Sequence, residues 1–449
     1  MKISNILGLN ARSQQFSYKY NKPPAKKIAG SKLATKRALA RVGIPVPETY
    51  ARFLKPGDIL KFDWEILPES FALKPNRGLG GEGIIVVKKR ALRQTQGKQG
   101  KVKAKVKAKD EWVTTQRKRV TVDDLKFHVL DILEGAFSLR NVPDVAYIEE
   151  FVGRHKAFRK YSYRGTPDIR VIVFNKVPVM AMLRLPTKQS GGRANLHQGA
   201  IAVGIDIATG ITTKAYWRGK NIRFKPGTKR KLHGIKIPKW TSVLEMAVNC
   251  QVETELGYLG VDIVLHPEKG PMILELNYLP GLQIQLANLA GLKKRLERVE
   301  DLRVRDAEHG VKMGKALFAS AFADRVRAEE GIKTVKSVER VKIYVKGKKS
   351  EFVDARIDTG ALRSSIDRGL AERLGLLTED NIIFKRGYAY RSASGKQPRP
   401  VIGLTIRLVG RKIKTSASVA NRTKMSTQLL IGRRDLTGFL VDPDENGKG

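Results

Sequence analysis

Residues 72–87 read ALKPNRGLGGEGIIVV, and the run after the last glycine constrains the fold more than any other feature of the chain. Gly78, Gly80 and Gly83 satisfy the pattern G-x-G-x-x-G. A dinucleotide-binding fold needs a helix to open at the third glycine, because the helix N-terminus must face the pyrophosphate. Here Gly83 is followed by the β-branched run IIVVKKR, which suits a pleated strand. The spacing therefore predicts strand, glycine loop, strand: a lid whose backbone N–H groups fold over phosphates. A protein kinase uses similar geometry, but the chain has no H-R-D or D-F-G segment.

Lys74 stands just ahead of the loop, where an ammonium reaches an α- or β-phosphate as a point charge. Further on, LGVDIVL (259–265) and MILELNY (272–278) read as paired strands. Glu275 and Asn277 are two residues apart, so their side chains leave one face of a strand. Asp262 can add a third oxygen from the adjacent strand. Simple solvation is the plainer reading of such acids, yet they interrupt apolar runs, where an unpaired charge is costly to bury. Two carboxylates and an amide oxygen suit Mg²⁺ (or Mn²⁺), which keeps several waters and bridges to substrate phosphates.

Lys32 in the first predicted helix, ALKPNRGLGGEGI, YIEEFV, DIRVIV, GGRANLHQGA, VDIVL and ILELNYLPGL follow one another along the chain. As an ordered set they resemble the ATP-grasp superfamily, and look most like the RimK-type α-L-glutamate ligase-related proteins. The similarity spans roughly residues 4–295, with NILGLNARSQQFSY near the start. It implies an α+β chain with the ATP-grasp fold, two α+β subdomains gripping ATP. It also implies a carboxylate–amine ligase: a carboxylate attacks the γ-phosphate, and an amine displaces phosphate from the acyl-phosphate to give an amide. Its substrates would be an amino acid such as glutamate and a peptide or small amine.

Position by position, the resemblance puts Lys32 and Lys74 on the ATP phosphates, under a loop formed by Gly78, Gly80, Gly81 and Gly83. Glu149, Glu150 and Val152 would lie at the hinge beside adenine and ribose. Asp262, Glu275 and Asn277 would bind Mg²⁺. Arg170, Arg193, Asn195 and His197 would face the acyl-phosphate or the substrate carboxylate, although His197 reads equally well as a hydrogen-bonding loop residue. The N-terminal domain of RimK-type enzymes is reduced to a short arm, which leaves recognition of the amine open.

The tail differs in pattern. FVDARIDTGALRSSID (352–367) carries Asp358-Thr359-Gly360 between hydrophobic strands, and STQLLIGRRDL (426–436) lies downstream. A D-T-G tripeptide is often an ordinary strand-exit turn, but a carboxylate held there can share a proton with a twin and activate water. With RPVIGLTIRL, NRTKM and LLIGRRDL in order, residues 345–443 resemble the retropepsin-like (RimB-type) family also labelled ATP-dependent zinc protease. A single D-T-G implies that the dyad, with Asp358 as its half, needs a homodimer. The zinc label finds no footing, since the six histidines are scattered and all precede this segment.

The expected organisation is a basic, irregular arm (1–30), an ATP-grasp domain (31–300) with a lid at about 71–150, a helical linker (301–337) and an all-β retropepsin-like domain (338–449). Ser31 should cap the first helix, and residues 291–331 read as strongly helical. Residues 90–111, where lysines alternate with small residues, read as a low-complexity excursion between strands, a mobile, solvated hairpin tip rather than a site. Lys+Arg 86 against Asp+Glu 43 gives a net charge of +43. That favours polyanionic surroundings such as ribosomes, RNA or anionic lipid, with a proteome-wide lysine bias an equal reading of the charge, and a ribosome- or nucleic-acid-binding protein on degenerate enzyme folds is the competing function. One cysteine, Cys250, excludes an intramolecular disulfide framework. Together with the lack of a secretion signal or an 18-residue apolar run, it points to a cytoplasmic protein.

Overall fold

The computed structural model describes residues 3–78, 80–96, 102–319, 333–345, 350–385, 390–392, 395–397, 399–437 and 439–442. The chain forms two compact units, residues 1–205 with 210–303, and residues 206–209 with 304–449.

The first unit holds two antiparallel sheets. In one, β1 (Thr49–Phe53), β2 (Phe71–Pro75), β3 (Ile85–Gln96), β4 (Val102–Thr114), β5 (Arg119–Thr121) and β6 (Ala146–Glu150) pair in the order β1-β6-β2-β3-β4-β5. β2 and β3 run antiparallel from Phe71↔Val87 to Leu73↔Ile85, so the glycine loop does join two strands. The hairpin expected at 90–111 is present: β3 and β4 remain paired out to Gln96↔Val102. Lysine alternating with alanine and valine is the two-residue period of a strand. Residues 97–101 lie outside the described residues.

Phe71, Leu73, Val87 and Trp112 of this sheet pack on Leu125, Val129 and Ile132 of the helix Val122–Leu133, which share one face at i, i+4 and i+7. A capping box starts that helix: Asp124 N donates to Thr121 Oγ1 (3.2 Å) and Thr121 N to Asp124 Oδ2 (2.8 Å).

In the other sheet β7 (Asp168–Phe174), β8 (Val177–Leu185), β9 (Ile201–Ile205), β10 (Thr212–Trp217), β11 (Lys220–Ile222), β12 (Tyr258–His266) and β13 (Gly270–Asn277) pair as β11-β10-β9-β8-β7-β12-β13. β8 and β12 are buried almost throughout. The helix Trp240–Thr254 packs on them and buries Cys250, where burial pushes the thiol well above its usual range. Ser31 caps the helix Lys32–Arg41 as expected, its Oγ accepting from Ala34 N at 3.1 Å.

Two expectations are overturned. The N-terminal arm is not irregular: residues 9–29 are a run of short helices built into the second sheet. Leu7 N donates to Gln285 Oε1 (2.9 Å), Ser17 Oγ to Tyr278 O (2.6 Å) and Asn21 Nδ2 to Tyr258 O (2.8 Å). Phe16 is 3% exposed and meets Phe174 edge-on at 5.5 Å. Nor are residues 291–331 helical throughout, and 320–331 lie outside the described residues. Lys293–Glu297 and Ala307–Leu317 are separate, because Asn175 Nδ2 donates to the carbonyls of Val299 (2.7 Å) and Leu302 (2.8 Å), and Asp306 caps a new start at His309 N (2.7 Å).

In the second unit β14 (Lys333–Lys336) pairs in parallel with β24 (Phe439–Asp442). β15 (Val338–Tyr344), β16 (Glu351–Asp358), β23 (Leu429–Gly432), β17 (Ser365–Asp367), β22 (Arg411–Ala420) and β21 (Val401–Leu408) form a ring that β15 closes by pairing with both β16 and β21. β18 (Ile382–Phe384) extends β21, while β19 (Tyr390–Ser392) and β20 (Gly395–Gln397) make a separate short hairpin. This is a small closed barrel around Val341, Ile343, Ile357, Ile406 and Ile431. Helix Ala307–Leu317, expected as linker, is held to it by His309 Nε2 at 3.1 Å from Ile383 O. No helix among the described residues is long and apolar enough to cross a membrane.

Candidate functional site

A cavity of about 1380 Å³ opens in the first unit. Lys74, Gly80, Gly81, Gly83, Glu149, Glu150, Val152, Arg170, Arg193, Asn195, His197, Asp262, Glu275 and Asn277 all line it. Fourteen positions chosen from sequence thus converge on one cavity. Lys32 and Gly78 do not line it, and Asp358 belongs to the other unit.

The glycine loop is tied at both ends. At its foot the Lys32 ammonium donates to the carbonyls of Gly78 (2.8 Å) and Asn76 (3.4 Å). At its crest Asn195 Nδ2 donates to Gly80 O (2.7 Å). Gly83 has φ +67°, and a Cβ there would stand 2.4 Å from Phe137 Cγ, so no other residue fits without displacing that ring.

Below the loop, β6 lies against β2 with Ala72 opposite Glu149. Glu149 is 2% exposed and receives two ammoniums, Lys74 on Oε1 and Lys36 on Oε2, the latter at 2.5 Å. Burial pushes this carboxyl up, but the charges of Lys74 and Lys36 outweigh it and hold Glu149 below the usual carboxylate range. Burial lowers the pKa of Lys36 more than Glu149 restores it. Lys36 was not singled out from sequence, although it follows Lys32 by four residues on the capped helix and so shares its face. Glu150, on the cavity wall, pairs with Lys269 and accepts the backbone N–H of Glu48 (3.3 Å). Val152 is buried with Val264 and Met272.

The floor is a charge cluster set by strand register. Arg170 and Glu275 both pair with Asp262, from β7 and β13 on either side of β12, while Asp168 pairs with Arg184 of β8. Arg170 grips Asp262 through Nε and Nη2, both at 2.6 Å, and Arg184 Nη2 reaches Asp262 Oδ2 (2.8 Å) and Asp168 Oδ2 (2.7 Å). Burial raises Asp262, but the two guanidiniums prevail and keep it below its usual range. Asp168, buried beside the negative Asp262, is pushed up to about 6 in spite of Arg184. Asp168 and Arg184 were also missed, though each breaks an apolar strand as Asp262 does.

Asn277 Nδ2 donates to Asp262 Oδ2 at 3.3 Å. The Glu275 carboxylate, half-buried on the cavity wall, takes part in no hydrogen bond or ion pair among the described residues. That donor set suits a hard cation bound through one or two carboxylates, an amide oxygen and a ligand's phosphates. Among the described residues no cluster of three His, Cys, Asp or Glu side chains could hold a metal by itself. His197 Nε2 lies 2.9 Å from Gln283 Nε2, and His197 N donates to Asn195 Oδ1 (3.0 Å).

In the barrel, Asp358 Oδ1 accepts the N–H groups of Gly360 (2.8 Å) and Ala361 (2.9 Å). Asp358 lies opposite Gly432 on the parallel strand β23. Gly432 N donates to Ser364 Oγ (3.1 Å), which donates to Asp435 Oδ2 (2.5 Å). The D-T-G and I-G-R-R-D segments therefore meet.

A family model described as sugar-transfer associated ATP-grasp matches residues 11–301. No curated protein matches the chain. Among solved structures, the ATP-grasp ligase PsnB complexed with a minimal precursor is 15% identical, covering 63% of each chain, with a TM-score of 0.32. D-alanine–D-alanine ligase from Bacillus anthracis is 14% identical over 69% of this chain and 72% of its own, with a TM-score of 0.31. A Legionella pneumophila protein of unknown function is 17% identical over 25% of this chain and 95% of its own, with a TM-score of 0.17. The chain thus covers less than two thirds of the precursor-bound ligase.

Proposed function

The chain belongs to the sugar-transfer associated ATP-grasp family, whose model matches residues 11–301, and on that footing we propose that its first unit is a carboxylate–amine ligase. ATP and Mg²⁺ are the cofactors of such ligases. The observation that carries the reading is the convergence of the glycine loop, Lys74, the C-terminal end of β6 and the Asp262–Glu275–Asn277 face on one cavity. Its volume of about 1380 Å³ exceeds the roughly 300–1,000 Å³ of a pocket for one small ligand, which leaves room for a nucleotide and a second substrate.

In this reading the Gly80–Gly83 backbone covers the phosphates, and Lys32 acts by holding the foot of the loop. Lys74 contacts phosphate directly, while Glu149 aims its ammonium. Glu275, Asn277 and a shared Asp262 would hold Mg²⁺, which supplies charge neutralisation for the transferring phosphoryl group. Arg170 and Arg184 stand beside these ligands, so their cations meet the charge that develops there. The substrate carboxylate oxygen bonds to the γ-phosphorus as ADP leaves. The amine nitrogen then bonds to the acyl carbon as phosphate departs, and the amine's surplus proton passes to solvent. Arg193, Asn195 and His197 line the acceptor side. An amino acid such as glutamate and a peptide or small amine are the proposed substrates, and a cytoplasmic setting goes with them.

The test is mass spectrometry of amino-acid mixtures incubated with enzyme, ATP and Mg²⁺, beside an ADP assay. Glu275→Gln should cut ADP formation about 100-fold or more with the fold intact; undiminished turnover would remove the site assignment.

A second reading concerns the barrel, favoured by the meeting of Asp358 with Gly432 and Asp435. It is half of a retropepsin-like aspartic site that a second copy completes, or a dimerisation element of that shape.

A further inference from the structure

The outer face of the barrel carries cations in a row. Lys342 of β15 stands opposite Phe352 on one side and Arg407 on the other, and Arg407 stands opposite Lys412. Strands lie about 4.8 Å apart, so three positive side chains fall within about 10 Å. A second row runs Tyr344, Thr405, Lys414. Arg340 lies two residues from Lys342, opposite Asp354.

Among the described residues none of Lys342, Arg407, Lys412 and Lys414 has a carboxylate partner. Their neighbours are aromatic rings instead. Lys412 Nζ is 4.5 Å from the Tyr344 centroid, with Lys342 at 5.8 Å and Arg407 at 5.9 Å. Phe352, 53% exposed, takes Lys342 at 5.3 Å and Arg340 at 5.5 Å. Like charges directly opposite on neighbouring strands repel one another, and aromatic rings offset that repulsion without neutralising the charge. A row of cations left without carboxylate partners among the described residues fits a polyanion.

The geometry points to a single-stranded nucleic-acid platform, independent of the ligase reading: Lys342, Arg407 and Lys412 hold consecutive phosphates, and a base stacks on Phe352. An exposed ring among cations suits an unpaired base, whose π-face any sequence offers. A duplex keeps its base faces stacked inside. A lipid surface needs several apolar groups to sink in, whereas Phe352 has Lys342 and then Arg407 beside it.

Fluorescence anisotropy of the full chain with a labelled oligouridylate tests this. The triple variant Lys342→Gln/Arg407→Gln/Lys412→Gln should bind about tenfold more weakly or worse. Its log Kd against log salt should be shallower by roughly two, at about 0.7 for each phosphate that is no longer neutralised. Phe352→Ala should weaken binding by about fivefold or more, and Phe352→Tyr should retain it. Removing opposed charges should leave the thermal midpoint unchanged or raised, so a lowered midpoint would overturn the reading of the row. So would unchanged oligouridylate affinity in the triple variant, tighter binding to the matching duplex, or capture only by phosphatidylserine vesicles.

Discussion

Glu149 is the residue on which the cavity depends most for its electrostatics. Its two oxygens compensate Lys74 and Lys36 where water cannot. Glu149→Ala should therefore strand two ammoniums and cost about 3–5 kcal/mol, read by urea unfolding. The pH dependence has a definite sign. The folded-state pKa is depressed below the ordinary 4.5, so the stabilisation is complete above that value and is lost as pH falls through the folded pKa. Glu149→Gln should flatten the acid limb of a stability–pH curve measured by circular dichroism. At this scale Asp262 and Glu275 were readable as charges that interrupt apolar runs and Lys74 by its place ahead of the glycine loop, whereas Glu149 came only with the family resemblance. Lys36, Asp168 and Arg184 escaped because their importance lies in partners on other elements, which only register and helix placement supply.

Among the elements, the glycine lid was legible because β-branched residues after Gly83 leave a helix no purchase. The arm was not, since its helices are too short to show a period and take their order from the sheet beneath. Phe16→Ala should accordingly cost about 3–5 kcal/mol, a penalty no loose arm would show in thermal or urea unfolding. The β3–β4 ribbon is the converse case. Its outer pairs, from Arg93↔Val106 to Gln96↔Val102, extend a sheet whose packed residues are Val87 and Trp112. Replacing residues 94–105 by Asn-Gly should keep the register through a tight turn. The melting temperature should move by no more than a few degrees and ATP affinity, measured by calorimetry, should hold. A collapse of either would make the ribbon part of the core.

Across the whole molecule the two chemistries should separate. Asp358→Asn should leave ADP formation within about twofold of wild type, since Asp358 lies in the other compact unit. If the barrel cleaves, the same change should abolish peptide cleavage, and light scattering should find the active species dimeric. Both units are also closed by segments far apart in sequence. Leu7 waits for Gln285, and β16 waits for β23, the last strand of the ring to be made. A ribosome delivers roughly 5–20 residues per second, so the nascent chain carries an unfinished first unit until nearly three hundred residues have emerged. It then carries an open barrel for about seven to thirty seconds more. During that interval the edge of β16 that awaits β23 is free to pair with the same strand on a neighbouring polysome chain, making synthesis the period of greatest aggregation risk.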